Sequence, residues 1–226
     1  MARKIKTEQD KAKSKKKKII VIVLVVLLLI ASLSVFIFMN TRETPKNVIE
    51  VKELDNLSDY NYKLTDRDSK YFKSEFEKLK KIVNSKEINE EEYVIQVARM
   101  FVIDLYTMST KVNKYDIGGL EYYYVTKKDM FEQKVMDTLY STMLDDTYGD
   151  RKQVLPEIKD VETISDEKIE YLMGEEKVEG YLVKLKMTYV DDLGYDTEAS
   201  VVICKEDGVR WSVVDFQPTL TPEYEE

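Results

Sequence analysis

The chain has 226 residues, of which 35% are charged and 11% aromatic, and its formal net charge is −8. This composition is typical of one ordinary folded domain with appendages and excludes a wholly disordered chain. There is no histidine and only one cysteine, Cys204. Ser/His and Cys/His nucleophile pairs, histidine-containing zinc sites and internal disulfides are therefore excluded, and we expect Cys204 to be a small buried apolar residue.

Charge is distributed unevenly along the chain. Residues 1–18 contain nine Lys/Arg and two Asp/Glu, a net charge of +7, which leaves −15 for the remainder. An acidic body cannot neutralise phosphates, so we expect no nucleic-acid binding by it. A basic tail could serve as a nucleic-acid or partner-binding arm, but a neighbouring membrane segment already accounts for its charge.

The segment 19–39 contains 21 residues without a charge. As a helix it would be about 30 Å long, which matches the hydrocarbon core of a bilayer. Small residues at 31–34 are followed by the apolar residues 35–38. Cleavage there would leave an apolar stub, which does not fit a secretory signal. The sequence therefore predicts an uncleaved, single-pass transmembrane helix.

The orientation of this helix follows from its charged flank. Lysines abut only its N-terminal end, at Lys15, Lys16, Lys17 and Lys18. The positive-inside rule then predicts a cytoplasmic tail over 1–18 and an extracytoplasmic location for the rest of the chain in a cell membrane. The Lys-, Ile- and Tyr-rich composition without cysteine pairs indicates a bacterial source.

The outer part is predicted to begin with a linker over 40–67. This stretch is mostly polar and contains Pro45, and a short strand is predicted within it at 48–51. An α+β domain over 68–218 is predicted to follow, and an acidic C-terminal tail over 219–226 ends the chain.

Three helices are predicted in the first half of that domain. The first begins after Asp68 or Ser69 as its N-cap, since apolar residues then recur at helical spacing. The second is capped by Asn89, and its body over 93–108 is apolar on most sides, which is typical of a central core helix. The third begins near Thr126 and carries one apolar face.

From about residue 161 the hydrophobic period changes to two, which is typical of strands. The predicted strands are 161–165, 168–173, 180–190, 197–205 and 209–217. Asp207-Gly208 is a hairpin signal between the last two. Helices followed by an antiparallel sheet predict an α+β fold.

The order of these elements resembles the nuclear-transport-factor-2-like superfamily. The resemblance covers about residues 69–217 and rests on three helices followed by long antiparallel strands that close with DGVRWSVVDF, residues 207–216. It implies a strongly bent sheet wrapped around a long helix to form a cone. Within that superfamily, one anchor with an outer domain is similar to the inner-membrane scaffold subunits of bacterial type IV secretion and conjugation machines. Those subunits assemble by contacts and carry no catalysis.

The same resemblance implies a pocket, because such cones often contain one and some family members are isomerases or dehydratases. That chemistry needs a carboxylate base and a Tyr or acid donor in an apolar cavity. The candidate pocket residues are Asp104, Tyr122, Tyr123, Tyr124, Trp211 and Asp215. A plainer interpretation places Asp104 on the polar edge of its helix, and has Asp215 facing solvent or hydrogen-bonded near the strand end.

Two acidic clusters raise the question of calcium: Asp145, Asp146 and Asp150, and Asp191, Asp192 and Asp196. Neither has the spacing of an EF-hand loop. We therefore expect solvated turns, no metal site and no cofactor.

Sixteen tyrosines exceed what the predicted core requires and favour a partner surface. We expect a non-catalytic domain that acts in protein assembly or binding at the cell envelope, through protein partners or self-association. The alternative is a small-ligand-binding or isomerase-like domain that uses the cone. A cone filled by Phe, Met and Tyr would argue against an enzyme, whereas an open pocket lined by Asp104 or Asp215 would favour the alternative.

Overall fold

A computed structural model describes residues 50–219, together with residues 24, 26, 27 and 30–32. The chain divides into two compact units, Met1–Asn47 and Val48–Glu226. In the first unit the described positions are helical and their side chains exposed. Most of the predicted anchor over 19–39, its lysine flank and residues 220–226 lie outside the described residues. Within the part of the chain that is described, no helix combines the length and the apolar character of a membrane span.

The second unit is an α+β fold, as the sequence predicts. Its helices are α1 (Lys70–Val83), α2 (Glu90–Tyr106) and α3 (Lys128–Asp137). Its strands are β1 (Glu53–Leu57), β2 (Tyr62–Thr65), β3 (Ile158–Met173), β4 (Glu176–Tyr189), β5 (Glu198–Glu206) and β6 (Arg210–Thr219). Strands β1 and β2 form one antiparallel pair, and β3-β4-β5-β6 form an antiparallel sheet in that order.

The helix starts follow local capping chemistry. The Ser69 hydroxyl accepts the Phe72 N–H at 3.1 Å, and the Asn89 side chain accepts the N–H groups of Glu91 and Glu92. These bonds satisfy donors that the first turn of a helix leaves free, so both predicted caps are confirmed. Helix α3 differs: it begins two residues after Thr126, behind a short 3-10 turn, and has no side-chain cap.

Strand β3 is a single strand of 16 residues where the sequence predicts two short ones. Its register against β4 shifts between Thr163 and Ser165, and Ile164 at the shift is 51% exposed. A bulge interrupts the alternation of inward and outward side chains without ending the strand. The hydrophobic period of two is therefore lost in the sequence at this point, although β3 remains paired with β4.

The core lies between α2 and one face of the sheet, since α2 contacts all four strands. Alternate residues of β4 are buried against it, as predicted: Tyr181, Val183, Leu185 and Met187. Most apolar residues of α2 are buried too, among them Met100 and Phe101, which serve in packing. Cys204 is also fully buried, and burial raises the pKa of its thiol to about 11.

The pair β1–β2 lies inside 40–67, where the sequence predicts a linker. Leu57, Tyr62 and Leu64 belong to the core, and the hydroxyls of Tyr62 and Tyr93 are 3.0 Å apart. Residues 50 and 51, in the stretch predicted as a strand, are not in one. The stretch from Glu53 to Thr65 therefore contributes strands and core residues to the α+β unit.

The β3–β4 hairpin extends past the rest of the sheet. Strand β5 pairs with β4 only over Gly180–Lys186, so 170–179 is a two-stranded ribbon closed by a turn at Gly174. Strand β3 forms one edge of the sheet, and its exposed positions are largely charged.

Candidate functional site

A groove of about 500 Å³ lies between α3, the C-terminal end of α2 and β6. We call it the α3–β6 groove. Its apolar wall includes Leu105, Phe131, Val135, Leu139 and Phe216. Its polar residues are Tyr106, Tyr123, Lys127, Lys134, Thr138, Tyr171, Asp196 and Asp215. A concave, mainly apolar site with a few polar groups is the usual form of a ligand-binding pocket.

A glycine pair brings one wall of the groove close to α2. A Cβ on Gly118 would lie 2.0 Å from the Asp104 carbonyl oxygen, so only glycine fits there. Gly119 has a φ of 80°, in the left-handed region that glycine enters without strain. The segment after it runs beside β6, where the Tyr124 N–H donates to the Val213 carbonyl at 2.8 Å. These constraints place Tyr123 in the groove.

Aromatic rings form one continuous cluster, of which Tyr123, Phe131 and Phe216 line the groove. Tyr123 and Phe131 are stacked, with centroids 4.1 Å apart and an interplanar angle of 13°. The Phe101 ring lies 5.6 Å from Phe131 and 5.2 Å from Phe216, which it meets edge-on. Because these rings belong to separate elements, the stack attaches α3 to the core.

Tyr123 and Asp215 are the two sequence-predicted candidates that meet in this groove. Burial, Asp215 and Tyr171 raise the pKa of the Tyr123 hydroxyl to about 12, so the hydroxyl stays protonated and remains a donor at neutral pH. One Asp215 oxygen accepts the Phe216 N–H at 2.8 Å. A carboxylate and a neutral phenol thus share one cavity.

Lys127 connects the far end of β3 with β6. Its ammonium donates to the Tyr171 hydroxyl at 3.2 Å and to the Val214 carbonyl at 3.1 Å. The same ammonium lies 5.1 Å from the centre of the Tyr171 ring, within the range of a cation–π contact. These bonds fix the rim of the groove where α3 begins.

Asp196 lies at another part of the groove and is held at two points. Its Oδ2 accepts the Tyr106 hydroxyl at 2.9 Å, and its carbonyl accepts the Tyr189 hydroxyl at 2.6 Å. Burial, reinforced by Asp196, raises the pKa of the Tyr106 hydroxyl. The second carboxylate oxygen of Asp196, Oδ1, is buried and has no hydrogen-bond partner among the described residues.

Asp104 lies outside the groove. It pairs with Lys111 at 2.5 Å, accepts the Gly119 N–H at 2.6 Å, and borders a separate polar cavity of about 190 Å³. It therefore ties α2 to the loop that follows it. Glu121 borders the same cavity, and burial, with Asp104 and Asp68 adding to it, raises the pKa of its carboxyl to about 7.

The remaining candidates do not meet in one place. Tyr122 is fully buried and stacks on Tyr62 at 4.8 Å, and its hydroxyl has no partner among the described residues. Tyr124 is half-buried. Trp211 packs edge-on against Tyr181 at 5.3 Å and borders a third cavity of about 310 Å³.

Several groove residues carry no signal in the sequence. The sequence pattern predicts that Phe131 packs on the apolar face of a helix. It predicts only an ordinary lysine near a helix start for Lys127 and an ordinary strand tyrosine for Tyr171. Asp196 belongs to one of the acidic clusters that predict solvated turns. Lys127 and Phe131 are four residues apart, but Tyr171 and Asp196 come from distant segments, so the fold alone brings these two to the groove.

The acidic clusters form turns. Asp192 accepts the Gly194 N–H, Asp145 accepts the Thr147 N–H, and Asp146 lies 3.8 Å from Arg151. Across residues 50–219 and the few described positions before them, no three acidic or thiol side chains converge as metal ligands.

The arrangement in the groove is suited to binding an amphipathic molecule or side chain, with an apolar wall and polar groups at defined points. Comparison of the chain with protein-family models, with curated proteins and with solved structures gave no match in any of the three.

Proposed function

We propose that this chain is a single-pass, membrane-anchored protein whose outer domain acts in binding at the cell envelope and has no catalytic role. The anchor is the uncharged segment 19–39, and its lysine flank supports an outer location of the domain. The acidic body, net −15 beyond residue 18, supports protein partners or self-association over nucleic acid.

We also propose that the domain is of the nuclear-transport-factor-2-like type. Helix α2 contacts every strand of a four-stranded antiparallel sheet, which supports a helix enclosed by a bent sheet. A relationship to the scaffold subunits of type IV secretion and conjugation machines remains part of this proposal.

The observation that carries the binding role is the α3–β6 groove. Its volume of about 500 Å³ lies within the common range of ligand sites, roughly 300–1,000 Å³. The core around α2 is filled by aliphatic side chains together with Met, Phe and Tyr. The groove is therefore a place where an occupant fits without repacking of the core.

Small-ligand binding, including isomerase-like chemistry, is the second candidate. It is favoured by one observation: Asp215 and the protonated Tyr123 hydroxyl share the groove. A carboxylate base beside a neutral donor is the pair that proton transfer next to a carbonyl requires.

A photo-crosslinking amino acid at Met130 separates these candidates. Met130 borders the groove and is 73% exposed, so the replacement can be accommodated. The matched control is Val209, which is 62% exposed in the β5–β6 turn. After irradiation of native membranes, a protein adduct at position 130 and none at position 209 supports assembly through the groove.

A small-molecule adduct at position 130 would instead support the second candidate. Equal adducts at both positions, or none at position 130, would contradict the groove as the binding site.

A further inference from the structure

The α3–β6 groove contains carboxylates without counter-ions. No lysine or arginine nitrogen lies within 4.0 Å of the carboxylate of Asp196 or Asp215 among the described residues. A buried polar atom that lacks a partner is unfavourable, and an ionised one more so. Oδ1 of Asp196 is such an atom, because it is buried and unpartnered.

Asp196 is also held in place. Tyr106 donates to its other oxygen and Tyr189 donates to its carbonyl, so its position is set before any ligand arrives. Because hydroxyls are the only side-chain donors to Asp196 in the described structure, its negative charge is not neutralised. Asp196 lines the groove, so a positively charged ligand donor there would balance this charge through a charge-assisted hydrogen bond.

The two lysines of the groove do not remove its preference for a positively charged ligand. The Lys127 ammonium is already bonded to the Tyr171 hydroxyl and the Val214 carbonyl. Lys134 is exposed on α3, where water and salt screen its charge. Oδ1 of Asp196 is shielded from water, so its field acts through a lower effective dielectric.

The groove next to Asp196 is apolar and aromatic. Tyr106, whose hydroxyl holds Asp196, meets the Phe216 ring edge-on at 6.2 Å, and Phe216 and Phe131 both line the groove. An apolar stem attached to a cationic head would bury its stem on these rings and place its N–H donors at the carboxylate. Aromatic faces also favour a cation.

We propose that the α3–β6 groove binds an ammonium or guanidinium group on an apolar stem, with the head at Asp196 and the stem on Phe131 and Phe216. This inference rests on the binding role proposed for the groove and adds the chemistry of the ligand. The same group could be offered by a small free amine or by a lysine or arginine of a protein partner.

The test uses three probes that share a phenylethyl stem: 2-phenylethylamine, 2-phenylethanol and 3-phenylpropanoate. Each is titrated at pH 7 into the full chain in lipid nanodiscs, with methyl-labelled methionine as the NMR probe. Met130 borders the groove, and Met173, in the β3–β4 ribbon, is the control signal outside it. Asp196→Asn preserves the side-chain size and an acceptor for Tyr106, and Asp192→Asn in the neighbouring turn is the matched control variant.

We expect the amine to shift the Met130 signal and leave Met173 unchanged, and to bind more tightly than the alcohol and the carboxylate. Asp196→Asn should weaken amine binding by roughly tenfold to a hundredfold, the cost of one charge-assisted hydrogen bond, while Asp192→Asn has no effect. Equal binding of all three probes, or an unchanged affinity in Asp196→Asn, would overturn the inference and leave the groove as a binding site. No shift of Met130 by any probe would contradict both proposals.

The source of the cation is distinguished by repeating the crosslinking at position 130 in the Asp196→Asn background. Loss of a protein adduct assigns the cation to a partner side chain. Retention of a protein adduct, together with loss of amine binding in solution, assigns it to a free small amine.

Discussion

The carboxylate of Asp104 lies 2.5 Å from the ammonium of Lys111, and its other oxygen accepts the N–H of Gly119. The side chains of Asp104 and Lys111 are only 15% and 11% exposed. Burial would lower the pKa of Lys111, but the charge and hydrogen bond of Asp104 outweigh it and raise that pKa. The pair therefore fastens the C-terminal end of α2 to the glycine turn that leads into the groove.

Removing Asp104 should destabilise the domain strongly, because it leaves the Lys111 ammonium buried without a counter-charge. We expect Asp104→Ala to lower the free energy of unfolding by about 3 kcal/mol. The measurement is denaturant unfolding of the full chain, followed by the fluorescence of Trp211, the single tryptophan.

The matched control is Glu170→Ala. Glu170 pairs with Lys177 at 2.7 Å, but the two side chains are 67% and 71% exposed. Exposed pairs contribute little, so we expect a loss below about 1 kcal/mol. Similar losses in the two variants would show that the Asp104 pair has no special role.

Glu121 should make stability depend on pH. Burial, with Asp104 and Asp68 nearby, raises the pKa of its carboxyl from 4.5 to about 7. A carboxyl with a higher pKa in the folded chain binds more protons there between the two values, so the free energy of unfolding falls as pH rises from 4.5 to 7.

Glu121→Gln removes this titration while keeping a side-chain oxygen that can accept the Lys63 N–H. We expect wild type and variant to respond alike to pH below about 4, and the variant to gain about 3 kcal/mol relative to wild type between there and pH 8. Denaturant unfolding across this range provides the comparison. A difference between the two chains that stays constant with pH would show that Glu121 does not titrate in this window.

The stacking of Phe131 on Tyr123 should contribute much of the free energy that holds α3 against the core. Phe131 and Val135 are the buried residues of this helix. We therefore expect Phe131→Ala to lower the free energy of unfolding by about 3 kcal/mol and to raise hydrogen exchange of the α3 amides. The neighbouring Met130→Ala, at a position 73% exposed, should change stability by less than about 0.5 kcal/mol. If α3 amides exchange equally in the two variants, α3 is held by other contacts.

The orientation of the chain can be tested by labelling introduced cysteines. Cys204 provides a silent background, since it is fully buried and burial raises the pKa of its thiol to about 11. A membrane-impermeant maleimide added to intact cells should label Leu172→Cys, at a position 62% exposed, and not Ser14→Cys. After the membrane is permeabilised, both should be labelled. Labelling of Ser14→Cys alone in intact cells would reverse the predicted topology.

Features that depend on a few neighbouring residues could be predicted from the sequence. The caps at Ser69 and Asn89 are local hydrogen bonds, and the buried face of β4 follows from strict alternation. The β1–β2 pair could not be found in this way. Its core residues Leu57 and Tyr62 stand among polar residues, and only contacts with distant segments, such as Tyr93, bury them.

Most of the groove could not be predicted from the sequence for the same reason. Tyr123 and Asp215 could be named as candidates because a donor and a base were sought. Asp196 lies 90 residues from its partner Tyr106, and Lys127 lies 44 residues from Tyr171. Such distances along the chain leave no periodicity or spacing to detect, and only the path of the sheet brings the residues together.

The edge position of β3 has a consequence for solubility. An exposed strand edge presents unpaired backbone groups that can pair with another chain. Strand β3 carries charges at its edge, among them Glu162, Asp166 and Glu167. Like charges on approaching edges repel, so these side chains oppose the pairing of β3 with the same edge of a second copy.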